Sequence, residues 1–286
     1  GNSFEEKTIY KKIKNLLPGS WLIFQKGNLI IEKYWKLEDC LNKPKFKGTK
    51  SECLELLDLN LNKAVKRQYS ADVPVSLFLS GGVDSTALAL ASMGIKNNEK
   101  KAYTALFNEK ITDLDFLNAK KVASNLDLDH RLLSISEKDL NTTVNELVKI
   151  HDEPFADSAN IPLYLMSKEF NNEGKVIIQG DGGDELFAGY RQHSVLLYSG
   201  FLSKLPNIGF KSNSASFDSY LSRFNRLIKI SKEKNQGLKI ARTMTMELFE
   251  EDPLSLFTKE KQISFKETDP FLVFKNLDKR LNEKEL

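Results

Sequence analysis

Cysteine is nearly missing from this sequence. Two in 286 residues, Cys40 and Cys53, cannot form a disulfide framework, so a reducing compartment is expected, with the cytoplasm as default. Histidine is scarcer than zinc chemistry requires: there are three, and none stands with cysteine at zinc-ligand spacing. Of these, His130 and His151 read as hydrogen-bonded structural residues. No apolar run is long enough for a membrane helix, and the start of the sequence does not read as a signal peptide. A large charge of one sign is also lacking. The formal net charge is +3, which gives no argument for a nucleic-acid partner. Residues 1–50 hold eleven Lys against five acidic residues, and they read as a solvated, lysine-rich edge. Hydrophobic residues at 41% and charged residues at 28% exclude a disordered chain.

A further absence is more telling. In "VSLFLSGGVDSTALALA" (Val75–Ala91) an apolar run meets two glycines and then a second apolar run, as in a phosphate-holding loop. The lysine that a Walker-type loop carries after its glycines is missing, and Asp84 stands nearby instead. Backbone N–H groups released by glycine, the positive end of the next helix, and the hydroxyls of Ser80, Ser85 and Thr86 can hold an anion without lysine. Asp84 would repel a bare phosphate, but it fits a site where Mg²⁺ lies between carboxylate and phosphate. Alone, this loop could equally be a tight strand-to-helix turn. A second stretch, "VIIQGDGGDELFAGY" (Val176–Tyr190), again runs an apolar strand into glycines, here with Asp181, Asp184 and Glu185. Two such turns at strand ends of one sheet would face one crevice, where clustered carboxylates call for a shared cation.

The segments around these loops alternate. Strands are expected at "VPVSLFL", "KAYTALF", "HRLLSI" and "KVIIQG", separated by helical patterns. That predicts an α/β fold with a parallel sheet covered by helices on both faces. Residues 19–37 predict a hairpin turning at Gly27-Asn28, which should pack on something, since a lone hairpin is marginal. Residues 39–50 read as a linker. A helix follows with Ser51 as cap and Leu54, Leu57, Leu61 and Val65 as its apolar stripe. Beyond Tyr190 only helical patterns remain.

"SGGVDS" resembles the pyrophosphatase loop of the ATP pyrophosphatases. With "HDEPFADSANIPLYLMSKE" (His151–Glu169) and "GDGGDELFAGY" (Gly180–Tyr190), the sequence resembles the synthetase domain of the glutamine-hydrolysing asparagine synthetase family from about Val73 to Tyr190. "LLPGSWLIFQKGNLIIEKYWKL" resembles the closing hairpin of that family's glutaminase domain. The resemblance implies an adenine nucleotide alpha hydrolase-like fold of ATP pyrophosphatase type with a helical C-terminal extension. It implies residues 1–38 as a hairpin remnant, 39–50 as a linker, 51–195 as the synthetase core, and 196–286 as an incomplete extension.

It also implies a reaction. ATP and Mg²⁺ are the cofactors, and aspartate with ammonia or glutamine are the small-molecule partners. The aspartate side chain is adenylated, pyrophosphate leaves, and ammonia displaces AMP. Ser80, Gly81, Gly82, Asp84 and Ser85 would hold pyrophosphate, Leu79 and Ala105 would contact adenosine, and Gly180 would flank the nucleotide. Asp84 and Asp184 would be metal ligands, and Asp181 the catalytic carboxylate. No membrane or nucleic-acid partner is expected, and a homodimer is left open for the full-length protein.

The sequence departs from the family in three places. The glutaminase nucleophile is an N-terminal cysteine, and this chain starts with Gly1. Asp181 stands where relatives place a glutamate. The downstream lysine segment is not recognised: Lys279, Arg280 and Lys284 read as a solvated helix face. A relative that amidates another carboxylate, such as a sugar acid, a β-lactam precursor or a peptide, and a non-catalytic nucleotide-binding module remain alternatives.

Overall fold

The structure, a computed structural model, describes residues 5–41, 43–95, 100–107, 114–135, 140–153, 155, 157, 159–206, 220–245, 258–267 and 271–282. Its elements in chain order are β1 (Ser20–Gln25), β2 (Asn28–Lys33), α1 (Glu38–Leu41), α2 (Lys50–Gln68), β3 (Val75–Phe78), α3 (Val83–Ser92), β4 (Lys101–Phe107), α4 (Leu114–Asn125) and β5 (Asp129–Ile135). There follow α5 (Leu140–His151), α6 (Asn160–Phe170), β6 (Val176–Ile178), α7 (Gly183–Phe187), α8 (Arg191–Leu202), α9 (Tyr220–Ser231), α10 (Gln236–Thr245), α11 (Lys259–Glu267) and α12 (Leu272–Asn282). The chain divides into two compact units, residues 1–36 with 43–182, and residues 37–42 with 183–286.

The first unit holds a parallel sheet of order β5-β4-β3-β6. Alternation along its strands sends side chains to two faces. Leu77, Leu79 and Ala102 face one way and pack with Ala89 of α3 and Ala119 and Ala123 of α4. Phe78, Tyr103 and Leu133 face the other way and pack with Phe170 of α6. Both faces are therefore covered, as the run of apolar strands predicts. The ring of Phe170 meets Tyr103 edge-on at 5.0 Å and Phe78 at 6.0 Å, a geometry that adds about 0.5–1.5 kcal/mol per pair beyond burial. Alanines on the α3/α4 side let those helices approach the sheet closely, which matters for the loop above them.

Four expectations are corrected. The hairpin turns at Lys26-Gly27, one residue earlier than expected. The last rung pairs Gln25 with Asn28, and Lys26 and Gly27 have φ of 50° and 79°, both positive as a type I′ turn demands. The packing expected for it is not found: Phe24 is 69% exposed, and Leu22, Ile23, Leu29, Ile30 and Ile31 are exposed too. Helix α2 is capped by Thr49 rather than Ser51. Thr49 accepts from the Glu52 N–H while the Glu52 carboxylate accepts from the Thr49 N–H at 2.7 Å. This reciprocal pair is available only at Thr-x-x-Glu spacing. Of the expected α2 stripe only Val65 is buried; Leu54 and Leu57 are exposed.

The second unit is helical throughout its described residues. Ile228, Ile230, Leu238, Ala241 and Phe271 are its buried apolar positions among the described residues. An ion pair from Arg242 to Glu233 at 2.7 Å is largely sequestered there. No described helix is long and apolar enough to cross a membrane.

Candidate functional site

The strand order places the site. From β3 the chain moves outward through β4 to β5, then returns to lay β6 on the opposite side of β3. The connections thus diverge between β3 and β6, and an open parallel sheet binds ligands outside the carboxyl ends of its strands at such a switch point. The two glycine-rich turns follow β3 and β6.

The first turn is held by its own hydroxyls. The Gly82 N–H donates to Ser80 Oγ at 3.3 Å, the Ser80 and Ser85 hydroxyls lie 3.0 Å apart, and Ser85 Oγ donates to the Gly82 carbonyl at 3.3 Å. The Ser80 N–H also donates to Ser85 Oγ, at 3.2 Å. The loop is therefore shaped without a ligand, and phosphate oxygens would draw on hydroxyls now bonded to each other. Gly81 has φ of +73°, and a Cβ there would lie 2.6 Å from Asn118 Cβ on α4. Both conformation and space require glycine at that position. Helix α3 then begins at Val83 with Gly82 as its cap. Asp84 thus lies in the first turn, at the positive helix end.

The second turn is seated on the first. A Cβ added at Gly180 would stand 3.1 Å from Asp84 Cβ and 3.2 Å from the Ser85 nitrogen. A side chain there would press on Asp84 and Ser85 by a few tenths of an ångström, so the turn after β6 lies in close contact with the head of α3. Asp84, Ser85 and Gly180 are thereby brought together, and Asp181 follows directly. Asp181 is exposed, and its carboxylate accepts from Gln179 Nε2 at 2.7 Å.

Asp184 belongs to the second unit, in the first turn of α7. Its carbonyl accepts from the Gly189 N–H at 2.9 Å. Its carboxylate fills the space a Gly189 side chain would need. Leu79 is buried at 1% exposure; its N–H donates to the Tyr103 carbonyl at 2.8 Å and its carbonyl accepts from Thr104 Oγ1 at 2.5 Å. Ala105 is half-buried in β4 beside that strand end.

His151 is structural as expected: it bonds Asn160 at 2.5 Å and stacks on Phe155 at 4.5 Å. Lys279 and Arg280 lie in α12 with side chains outside the described residues, and Lys284 lies outside them altogether. Reading by motif missed Thr104, Asn118 and Gln179. Thr104 and Gln179 carry a faint signal, a polar residue inside or ending an apolar strand. Asn118 carries none, because only the packing of α4 reveals it.

The chain is similar to known proteins. The family model described as asparagine synthase matches residues 56–268. The chain is 30% identical over 207 residues to asparagine synthetase (glutamine-hydrolysing) 3 of Bacillus subtilis, covering 68% of this chain and 33% of that protein. It is also 30% identical over 201 residues to the amidase chyE of Penicillium rubens, covering 65% of this chain and 30% of that one. Among solved structures, an NH3-dependent NAD synthetase from Campylobacter jejuni aligns over 78% of this chain and 95% of its own, at 15% identity and a TM-score of 0.33, a likeness too slight to build on. The chain spans about a third of the length of the curated relatives it matches. With the matched span covering most of its residues, the chain belongs to the asparagine synthase family.

Proposed function

We propose that this chain binds MgATP at the turns after β3 and β6 and serves an amide ligase of the asparagine synthetase type. The observation that carries the reading is Gly180 seated against Asp84 and Ser85, which joins two glycine- and carboxylate-bearing turns at the switch point. The aspartate side-chain carboxylate would attack the α-phosphorus of ATP. The bond from that phosphorus to the bridging oxygen breaks, and pyrophosphate leaves. Ammonia would then attack the acyl carbon, and AMP departs.

The residues divide this work. The amides and hydroxyls of Ser80–Ser85, with the end of α3, would receive the charge that builds on pyrophosphate. A Walker loop meets charge on a transferring terminal phosphoryl group with a lysine. Here a whole pyrophosphate departs, and Asp84 at that place is suited to a metal rather than to bare phosphate. The donors at the turn are carboxylate and hydroxyl oxygens, which fit Mg²⁺, an ion that takes one or two carboxylates together with substrate phosphates. Asp84 and Asp184 would hold it, and when bound it would neutralise charge on the leaving pyrophosphate. Gly180 would flank the nucleotide. Leu79 and Ala105 would border adenosine through the strand ends. Asp181, held by Gln179, would orient the amine and accept its proton.

Similarity to the amidase chyE at the same identity as to an asparagine synthetase supports a second reading, amidation of another carboxylate. Exchange of labelled pyrophosphate into ATP separates the two. Exchange that requires Mg²⁺ and rises with aspartate supports the first. Exchange that ignores aspartate but responds to another carboxylic acid supports the second. A chain that binds no MgATP in calorimetry overturns both.

A further inference from the structure

At the end of β3 one side chain does what a strand neighbour's backbone ordinarily does. Thr104 is 4% exposed inside β4, a strand otherwise apolar and aromatic after Lys101. Its hydroxyl donates to the Leu79 carbonyl at 2.5 Å and stands 2.8 Å from His130 Nε2 on β5. The hydroxyl has one proton, and that proton goes to Leu79. Thr104 Oγ1 therefore accepts from His130, which fixes Nε2 as the protonated ring nitrogen. His130, half-buried, reaches the carbonyl across the full width of β4.

The Leu79 carbonyl shares a planar peptide unit with the Ser80 N–H. Holding the oxygen toward Thr104 turns that N–H the opposite way, where it donates to Ser85 Oγ at 3.2 Å. Ser85 in turn closes the hydroxyl ring with Ser80 and Gly82. A continuous chain of bonds thus runs from β5, through β4, into the first amide of the loop.

We propose that Thr104 and His130 are positioning residues that lock the Leu79–Ser80 peptide plane and so preset the loop for the pyrophosphate end of the nucleotide. The nucleotide part rests on the function proposed above; the locking of the loop does not. Neither residue needs to touch the substrate.

The test uses Thr104→Val, which keeps the shape and loses the hydroxyl, and Thr104→Ser, which restores it. His130→Leu and His130→Gln form a matching pair, since glutamine keeps an N–H donor near the Nε2 position. Amide hydrogen exchange is followed in the ligand-free chain, and MgATP affinity by calorimetry. Thr104→Val should speed exchange at residues 80–85 about tenfold, leave the central amides of β4 and β5 within about twofold, and weaken MgATP binding about tenfold, as expected when a buried carbonyl loses its donor. Thr104→Ser and His130→Gln should return both readings close to those of the parent.

Exchange that rises equally over the whole sheet, or loop exchange and affinity that do not change, overturns the proposal. Should Thr104→Val fail to fold, the His130 pair decides it by the same criteria. A parent chain that binds no MgATP but shows the loop-specific exchange pattern removes the nucleotide reading and leaves the peptide lock standing.

Discussion

Asp181 has two conceivable tasks, metal binding or proton acceptance, and its surroundings favour the second. It is exposed and held by Gln179 Nε2 at 2.7 Å, an arrangement that aims one carboxylate oxygen and leaves the other open. Under the proposed function Asp84 and Asp184 would supply two anions for a Mg-pyrophosphate end, and a third would add repulsion. Asp181→Asn should therefore preserve aspartate-dependent pyrophosphate exchange while amide formation drops by roughly 10²–10⁴. Exchange lost as completely as in Asp184→Asn would move Asp181 into the adenylation step. A second residue-scale prediction concerns His130, whose pKa is lowered from 6.5 by burial first and by the nearby Lys120 second. The folded chain resists protonation that the unfolded chain accepts. The contribution of His130 to stability is thus complete above the unfolded value and is lost as pH falls through the lower folded one. Urea midpoints measured between about pH 7.5 and 5.5 should decline for the parent, and more weakly for His130→Gln. Equal declines would show that other groups set the slope.

At the scale of elements, α2 divides into two parts. Its C-terminal part carries the buried Val65, while Leu54 and Leu57 in its N-terminal part are exposed. Helix without tertiary support depends on local nucleation, so the Thr49–Glu52 capping box should govern the first turns. Thr49→Ala should increase amide exchange over residues 50–57 and leave the global unfolding midpoint nearly unchanged. Val65→Ala should do the reverse, at a cost of about 2 kcal/mol for the emptied space. A large global loss from Thr49→Ala would mean that α2 unfolds as one unit with the sheet. This helix also shows where the sequence was legible. Periodicity located α2, the parallel strands and the helical tail, because repeating apolar spacing is what burial selects. It misjudged the α2 stripe and the hairpin's packing, because pattern tells which face is apolar and not whether anything covers it. The Leu79-to-Ser85 loop was legible from its glycines, whereas the Thr104–His130 support was not. Its partners are 25 and 26 residues apart in sequence and meet only through the order of the strands.

For the whole molecule, nucleotide binding under the proposed function reads out in the stability of the folded chain. A ligand that binds only the folded chain raises its stability by RT ln(1 + [L]/Kd), about 2.7 kcal/mol at a concentration of 100 Kd. MgATP should therefore raise the thermal midpoint, and ATP with EDTA should raise it much less. Asp84→Ala should lower the gain with MgATP nearly to that with EDTA, while the gain from metal-free ATP changes little, because removing the anion also removes its repulsion toward the phosphates. Asp184→Asn should have the same effect. If only Asp84 matters, the metal is held without Asp184, which then has to be explained by α7 itself, where its backbone carbonyl already binds the Gly189 N–H. If neither matters, the loop holds the nucleotide through its amides, and the carboxylates need another partner.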